Sequence, residues 1–157
     1  MANKNINITE CEINPGLVVS INGGRLSNAN QNRSIIVISG TLAYADHLYV
    51  CVCVDEVNSY WTVLTSQGTT NGGTSRLSLT SYKERDNVSK TDRWFAEETY
   101  LADGNNIIFG AKSVIVNVSD ESSFPNARRR ISAGGVEAIL QEIRTRHGLL
   151  PSSCSEN

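Results

Sequence analysis

The chain has no apolar run of about 18 residues, so no segment is long enough to cross a membrane as a helix. It has only three prolines, and lysine is sparse beside threonine, valine and isoleucine, a balance that leans towards β structure. His47 and His147 are the only histidines, which leaves little for general acid–base chemistry. G-x-S-x-G, H-E-x-x-H, a P-loop and G-x-G-x-x-G are all missing, so the common nucleophile, zinc and phosphate-cradle signatures do not apply. The four cysteines, Cys11, Cys51, Cys53 and Cys154, have no disulfide-scaffold rhythm. The first residues lack the apolar core of a signal peptide. The expectation is a cytoplasmic protein with free thiols, or an exported one if a leader has been removed. A net charge of −2 predicts no general attraction to nucleic acid or to acidic membranes.

A chain of 157 residues is expected to form one domain with its own core. Its most strand-like stretch is Leu48–Asp55. Leu48, Val50, Val52 and Val54 alternate with Tyr49, Cys51, Cys53 and Asp55, so both faces are largely apolar and the strand should be central. Ser59–Ser66 follows after a short link, which predicts a hairpin. Ser34–Tyr44 reads as a strand broken at Gly40, and Ser75–Tyr82 as an outer strand with one wet face. Arg93–Leu101 reads as a further strand, and Asn106–Val118 as a strand whose alternation slips near Gly110–Ser113. Residues 1–33 read as a polar N-terminal arm: Leu17–Ile21 is a short strand, Asn22-Gly23-Gly24 a tight turn, and Ser27–Arg33 a solvated loop. Lys83–Asp92 is charged and reads as loop.

Ser132–His147 has a different period. Val136, Ile139, Leu140 and Ile143 form the apolar stripe of an amphipathic helix, with Ser132 placed as its N-cap and Gly148 beyond its end. The divisions expected are an arm over 1–33, a β-sandwich over 34–119 and a helical segment over 126–150.

Short strands separated by turns suggest a sandwich. Trp94-Phe-Ala-Glu-Glu-Thr-Tyr-Leu-Ala-Asp-Gly-Asn-Asn-Ile-Ile-Phe-Gly-Ala111 resembles the closing half of bacterial immunoglobulin-like modules, and Ser39-Gly-Thr-Leu42 is similar to their opening strand. The resemblance spans residues 34–119. It departs from the family at Thr99, where a hydrophobic residue is usual, and in its C-terminal helix. It implies an antiparallel, immunoglobulin-like β-sandwich acting as a spacer, an adhesion unit or a binding platform, and it brings no catalytic residues.

A metal site at Cys51, Cys53 and His47 meets a geometric objection. Neighbours on one strand face lie roughly 6.5–7 Å apart, whereas two sulfurs on one zinc approach to about 3.7 Å. No metal or cofactor is therefore expected. Glu97 and Glu98 are adjacent, so on a strand they would face opposite ways and could not act as an acid–base pair. Of the aromatics, Tyr60, Trp61 and Trp94 are the candidates to reach a surface, stacking on a sugar or anchoring a partner. Residues 126–150 hold Arg128, Arg129, Arg130, Arg144 and Arg146 against Glu137 and Glu142, which reads as a solvated basic face. Nucleic acid is not favoured, because no groove-reading motif accompanies it.

These features favour a non-enzymatic binding or assembly module. The stripe of Val136, Ile139, Leu140 and Ile143 would dock on the Tyr49/Cys51/Cys53 face, either in cis or in a homo-oligomer. A carbohydrate or small-ligand module using Tyr60, Trp61 and Trp94 is the second reading. A small thiol enzyme at Cys51, Cys53 and His47 is the third.

Overall fold

The structure is a computed structural model and describes residues 7–39, 47–70, 72–85, 93–102, 107–121 and 123–146. Among the described residues there are eight strands: β1 (Leu17–Ile21), β2 (Ile35–Ser39), β3 (His47–Val54), β4 (Asn58–Thr65), β5 (Lys83–Arg85), β6 (Tyr100–Leu101), β7 (Ile107–Ala111) and β8 (Arg129–Ile131). Four α-helices accompany them: α1 (Gly23–Gln31), α2 (Arg93–Ala96), α3 (Lys112–Val118) and α4 (Ala133–Arg146). The fold is mainly an antiparallel sheet, in the order β2-β7-β4-β3-β1-β8-β5, with β6 paired to the end of β4.

Two differences from the expected sandwich follow. Seven of the described strands lie on one continuous path, with β6 off it, and helices pack on both faces of that path. Among the described residues four α-helices form where one was expected. On one face, α1 and α3 bring Leu26, Ala29, Ile115 and Val118 to a core with Leu17, Val19, Ile21, Tyr49, Cys51 and Trp61. On the other, α4 packs with Val18, Val50, Val52, Leu79, Trp94 and Ile131. The alternation Leu17, Val18, Val19 sends successive side chains to opposite cores, as a strand covered on both sides requires.

The hairpin β3–β4 forms as expected. Its turn is held by Asp55, whose Oδ1 accepts from the backbone N–H of Val57 and Asn58 at 2.8 and 2.7 Å. The alternation in β3 does not run to its end. Cys51 pairs with Trp61 and Cys53 with Tyr60, so one extra residue is accommodated and the phase flips. Cys51 therefore stays on the α1/α3 side, while Val52 and Cys53 both join the α4 core.

Three segments depart from their expected form. Asn22-Gly23-Gly24 starts α1 instead of turning a hairpin: the Asn22 side chain accepts from Arg25 N–H at 2.9 Å, a cap that the same residue type supplies as readily as a turn. Lys112–Val118 is helical in spite of its β-branched run, because Ile115 and Val118, three apart, are buried. Arg93–Ala96 is helical and only Tyr100–Leu101 extends, while within Ser75–Tyr82 the structure has isolated bridges and a 3-10 turn at Thr80–Tyr82. Conversely, Lys83–Arg85 and Arg129–Ile131 pair as strands where loop and helix entrance were expected. The break at Gly40 lies outside the described residues.

Helix α4 has the expected stripe and cap. Ser132 O accepts from Val136 N–H at 3.0 Å, and its Oγ from Gly135 N–H at 3.3 Å.

In the basic run before α4, Arg128 departs from the expected solvated face. Arg128 is fully buried and bonds Glu12 through Nε (2.9 Å) and Nη2 (3.3 Å), Asn7 O at 3.0 Å and Ser123 Oγ at 3.2 Å. It joins the N-terminal segment to the loop that precedes β8.

Candidate functional site

The side chains singled out from the sequence do not converge. Trp61 is fully buried; its Nε1 donates to Ser59 Oγ at 2.7 Å, and Ser59 Oγ donates to Gly110 O at 3.2 Å. It has no open ring face for a sugar. Tyr60 stands on the other side of the sheet, its ring 4.6 Å from that of Phe109. Trp94 is nearly buried, and its Nε1 donates to Glu84 O at 3.1 Å. Strands β3, β1 and β8 separate β4, which carries Tyr60, from β5, where Trp94 is anchored. The three rings therefore form no common platform.

Val136, Ile139, Leu140 and Ile143 are all buried against the chain's own sheet, the in-cis arrangement of the two expected. They pack with Val18, Val50 and Val52 instead of with Tyr49 and Cys51. The reason is the phase of β3, which turns Tyr49 and Cys51 towards α1 and α3.

The thiol set is also dispersed. Burial pushes the Cys51 thiol up to about 12, far from a reactive thiolate. Cys53, expected free, is disulfide-bonded. His47 lies at the start of β3, paired with Ile21. Among the described residues no group of three His, Cys, Asp or Glu side chains is placed to hold a metal ion, and no helix is long and apolar enough to cross a membrane.

The two ends of the sheet differ in kind. At one end β5 is three residues long and carries Lys83, Glu84 and Arg85, a short and charged edge of the kind that resists further pairing. At the other, β2 reads Ile35-Ile-Val-Ile-Ser39 and has no charge. Among the described residues no strand pairs with its outer side. Ile36, in this strand, is 50% exposed. A groove of about 420 Å³ lies at this edge, lined by Asn30, Arg33, Ile35, Ile36 and Val37.

Local chemistry holds β2 in this position. Arg33 adopts φ +68°, and Asn32 Oδ1 accepts from Ser34 N–H at 2.9 Å, so the link from α1 is a tight, hydrogen-bonded turn. The Asn30 side chain donates to Ile35 O at 3.1 Å. Opposite, Ile35 pairs with Gly110 and Ile36 with Phe109. The sequence marks this stretch as a strand but cannot mark it as an edge, because strand order depends on long-range pairing.

Comparisons with protein-family models, with curated proteins and with solved structures return no match, so the site's reading rests on its own geometry.

Proposed function

We propose that the chain is a non-enzymatic binding and assembly module that associates with a second copy of itself through the outer edge of β2. The supporting observation is the contrast between the two sheet edges: β5 is short and charged, while β2 is uncharged and presents an exposed Ile36. A two-fold antiparallel pairing centred on Val37 would set Ile36 opposite Ile38 of the second copy. Both side chains would then gain cover, and no like charges would meet. Two five-residue strands bury less than about 1,000 Å², so the dimer would be weak, with a dissociation constant on the order of micromolar or above.

Solution mass by light scattering, followed from about 10 to 500 μM, tests this range. The wild-type mass should rise towards twice the monomer, and Ile36→Lys should remain monomeric with unchanged thermal stability. Val57→Lys, which alters another exposed apolar residue at 61% exposure, should leave the rise intact. A wild-type chain that stays monomeric throughout would refute the proposal, as would an Ile36→Lys chain that still associates.

A further inference from the structure

Helices α1 and α3 pack side by side on one face of the sheet, and residues of both line a groove of about 270 Å³. Helical spacing sets its polar wall. Arg25, Asn28 and Asn32 fall at i, i+3 and i+7 along α1 and its C-cap, so they share one face. From α3, Val114, Asn117 and Val118 fall at i, i+3 and i+4 and meet the same groove. Ala29 and Val118 are buried and, with Val114, supply its apolar part.

The fold does not use up the polar side chains of this groove. Those of Asn28 and Asn117 are exposed and make no hydrogen bond among the described residues. Asn32 Oδ1 accepts from Ser34 N–H at 2.9 Å and from Ser34 Oγ at 2.5 Å, which leaves its amide nitrogen to donate elsewhere. Arg25 makes one long bond, from Nη1 to Ser119 O at 3.4 Å, and has no ion pair among the described residues. No carboxylate lines the groove. Helix formation does not call for these amides either. Asparagine is a weak helix former, and alanine, lysine or glutamate would serve an exposed helical position better. Asn30 has a structural task, its bond to Ile35 O at 3.1 Å, but Asn28 and Asn117 have no such bond among the described residues.

We propose that the groove between α1 and α3 binds one small acidic sugar, of the uronic-acid class. A carboxamide offers a donor and an acceptor together, as a hydroxyl does, so Asn28 and Asn117 can each meet a sugar hydroxyl in either sense, and Asn32 donates to another. The Arg25 guanidinium takes the carboxylate, because its planar donors match the two oxygens as a pair. Ala29, Val114 and Val118 offer methyl groups to the C–H face of the ring. The volume sits at the low end for small-molecule sites, which limits the ligand to a single ring. The inference moves the expected sugar reading away from Tyr60, Trp61 and Trp94, and it does not rest on the pairing of β2.

Titration of the isotope-labelled full chain with glucuronate, followed by NMR, reads the site directly, with glucose and acetate titrated separately. Glucuronate should shift the side-chain amide signals of Asn28 and Asn117 along saturable curves with a dissociation constant below about 10 mM. Glucose lacks the carboxylate and acetate lacks the hydroxyls, so each should bind about tenfold more weakly or worse, the scale of a lost charge-assisted hydrogen bond. Arg25→Gln should lower the affinity for glucuronate to that for glucose and leave glucose binding unchanged. Asn117→Ala should weaken both sugars. Both positions are exposed, so both variants keep the fold. Side-chain amide signals that stay in place up to about 10 mM glucuronate would overturn the proposal. So would glucose or acetate binding as tightly as glucuronate, or wild-type affinity for glucuronate in Arg25→Gln.

Discussion

Replacing Arg128 by methionine should be among the most damaging single changes to this fold. The guanidinium is 1% exposed and holds Glu12, Asn7 O and Ser123 at once. Methionine fills much of the stem's volume but returns none of those donors. Removing one member of a buried ion pair costs about 3–5 kcal/mol, because the other charge is left without compensation. Glu12 retains 20% exposure and can recover some water, which places the figure near 3 kcal/mol. For a domain of this length that corresponds to a fall in melting temperature on the order of 10 °C. Urea unfolding followed by tryptophan fluorescence gives the number directly, provided that the slope is unchanged. A double-mutant cycle with Glu12→Gln then separates the causes. If the ion pair carries the cost, the double variant should recover at least about 1 kcal/mol relative to the sum of the singles. Strict additivity would shift the cost to the orphaned carbonyls of Asn7 and Ser123. An Arg128→Met chain within about 0.5 kcal/mol of wild type, the usual scatter of surface changes, would refute the argument that this network holds the N-terminal segment.

Three other outcomes follow from the same physics. Burial pushes the Glu12 and Glu121 carboxyls up, but hydrogen bonds and charge from Arg128 and Arg129, with Thr9, Ser20 and Ser123, outweigh it and hold both below the usual value of 4.5. Their contribution to stability is therefore fully present above pH 4.5 and is lost as pH falls through the lower folded values, so urea midpoints should drop on acidification there and not between pH 5 and 7. Gly16 has φ +103°, and a Cβ on it would stand 2.4 Å from Ile131 O, so Gly16→Ala should cost about 3 kcal/mol or more by the same unfolding assay; a wild-type midpoint would contradict the close approach. An aromatic disulfide reagent should label exposed Cys11 at once and buried Cys51 only on denaturation, and rapid labelling of Cys51 in the native state would revive a thiol role for it.

Some elements were legible because local and global signals agree. Leu48–Asp55 and Ser59–Ser66 carry long alternation and a short link, and both became strands of one hairpin. Helix α4 has a cap and a 3.6-residue period where they were expected. Other elements were opaque for definite reasons. Asn22 suits a hairpin turn and a helix cap equally, so the residues after it could not decide between them. Lys112–Val118 has strand-like composition, and only its docking beside α1 makes it a helix. The candidate sites suffered more. Consecutive arginines read as surface, yet Arg128 is buried because Glu12, 116 residues away in sequence, returns to it. The edge position of β2 exists only once strand order is fixed, and strand order is set by contacts between distant residues.

The place of β1 has a consequence for the growing chain. It lies between β3 and β8, so one flank can pair once residue 54 has emerged from the ribosome, while the other must wait for Arg129–Ile131. At synthesis rates of about 5–20 residues per second, that interval is roughly 4 to 15 s. Throughout it an apolar inner strand has an open side, available to other nascent chains as readily as to its native neighbour. Production of this protein should therefore respond to translation speed and to chaperones that shield unfinished chains, even where the finished fold is stable.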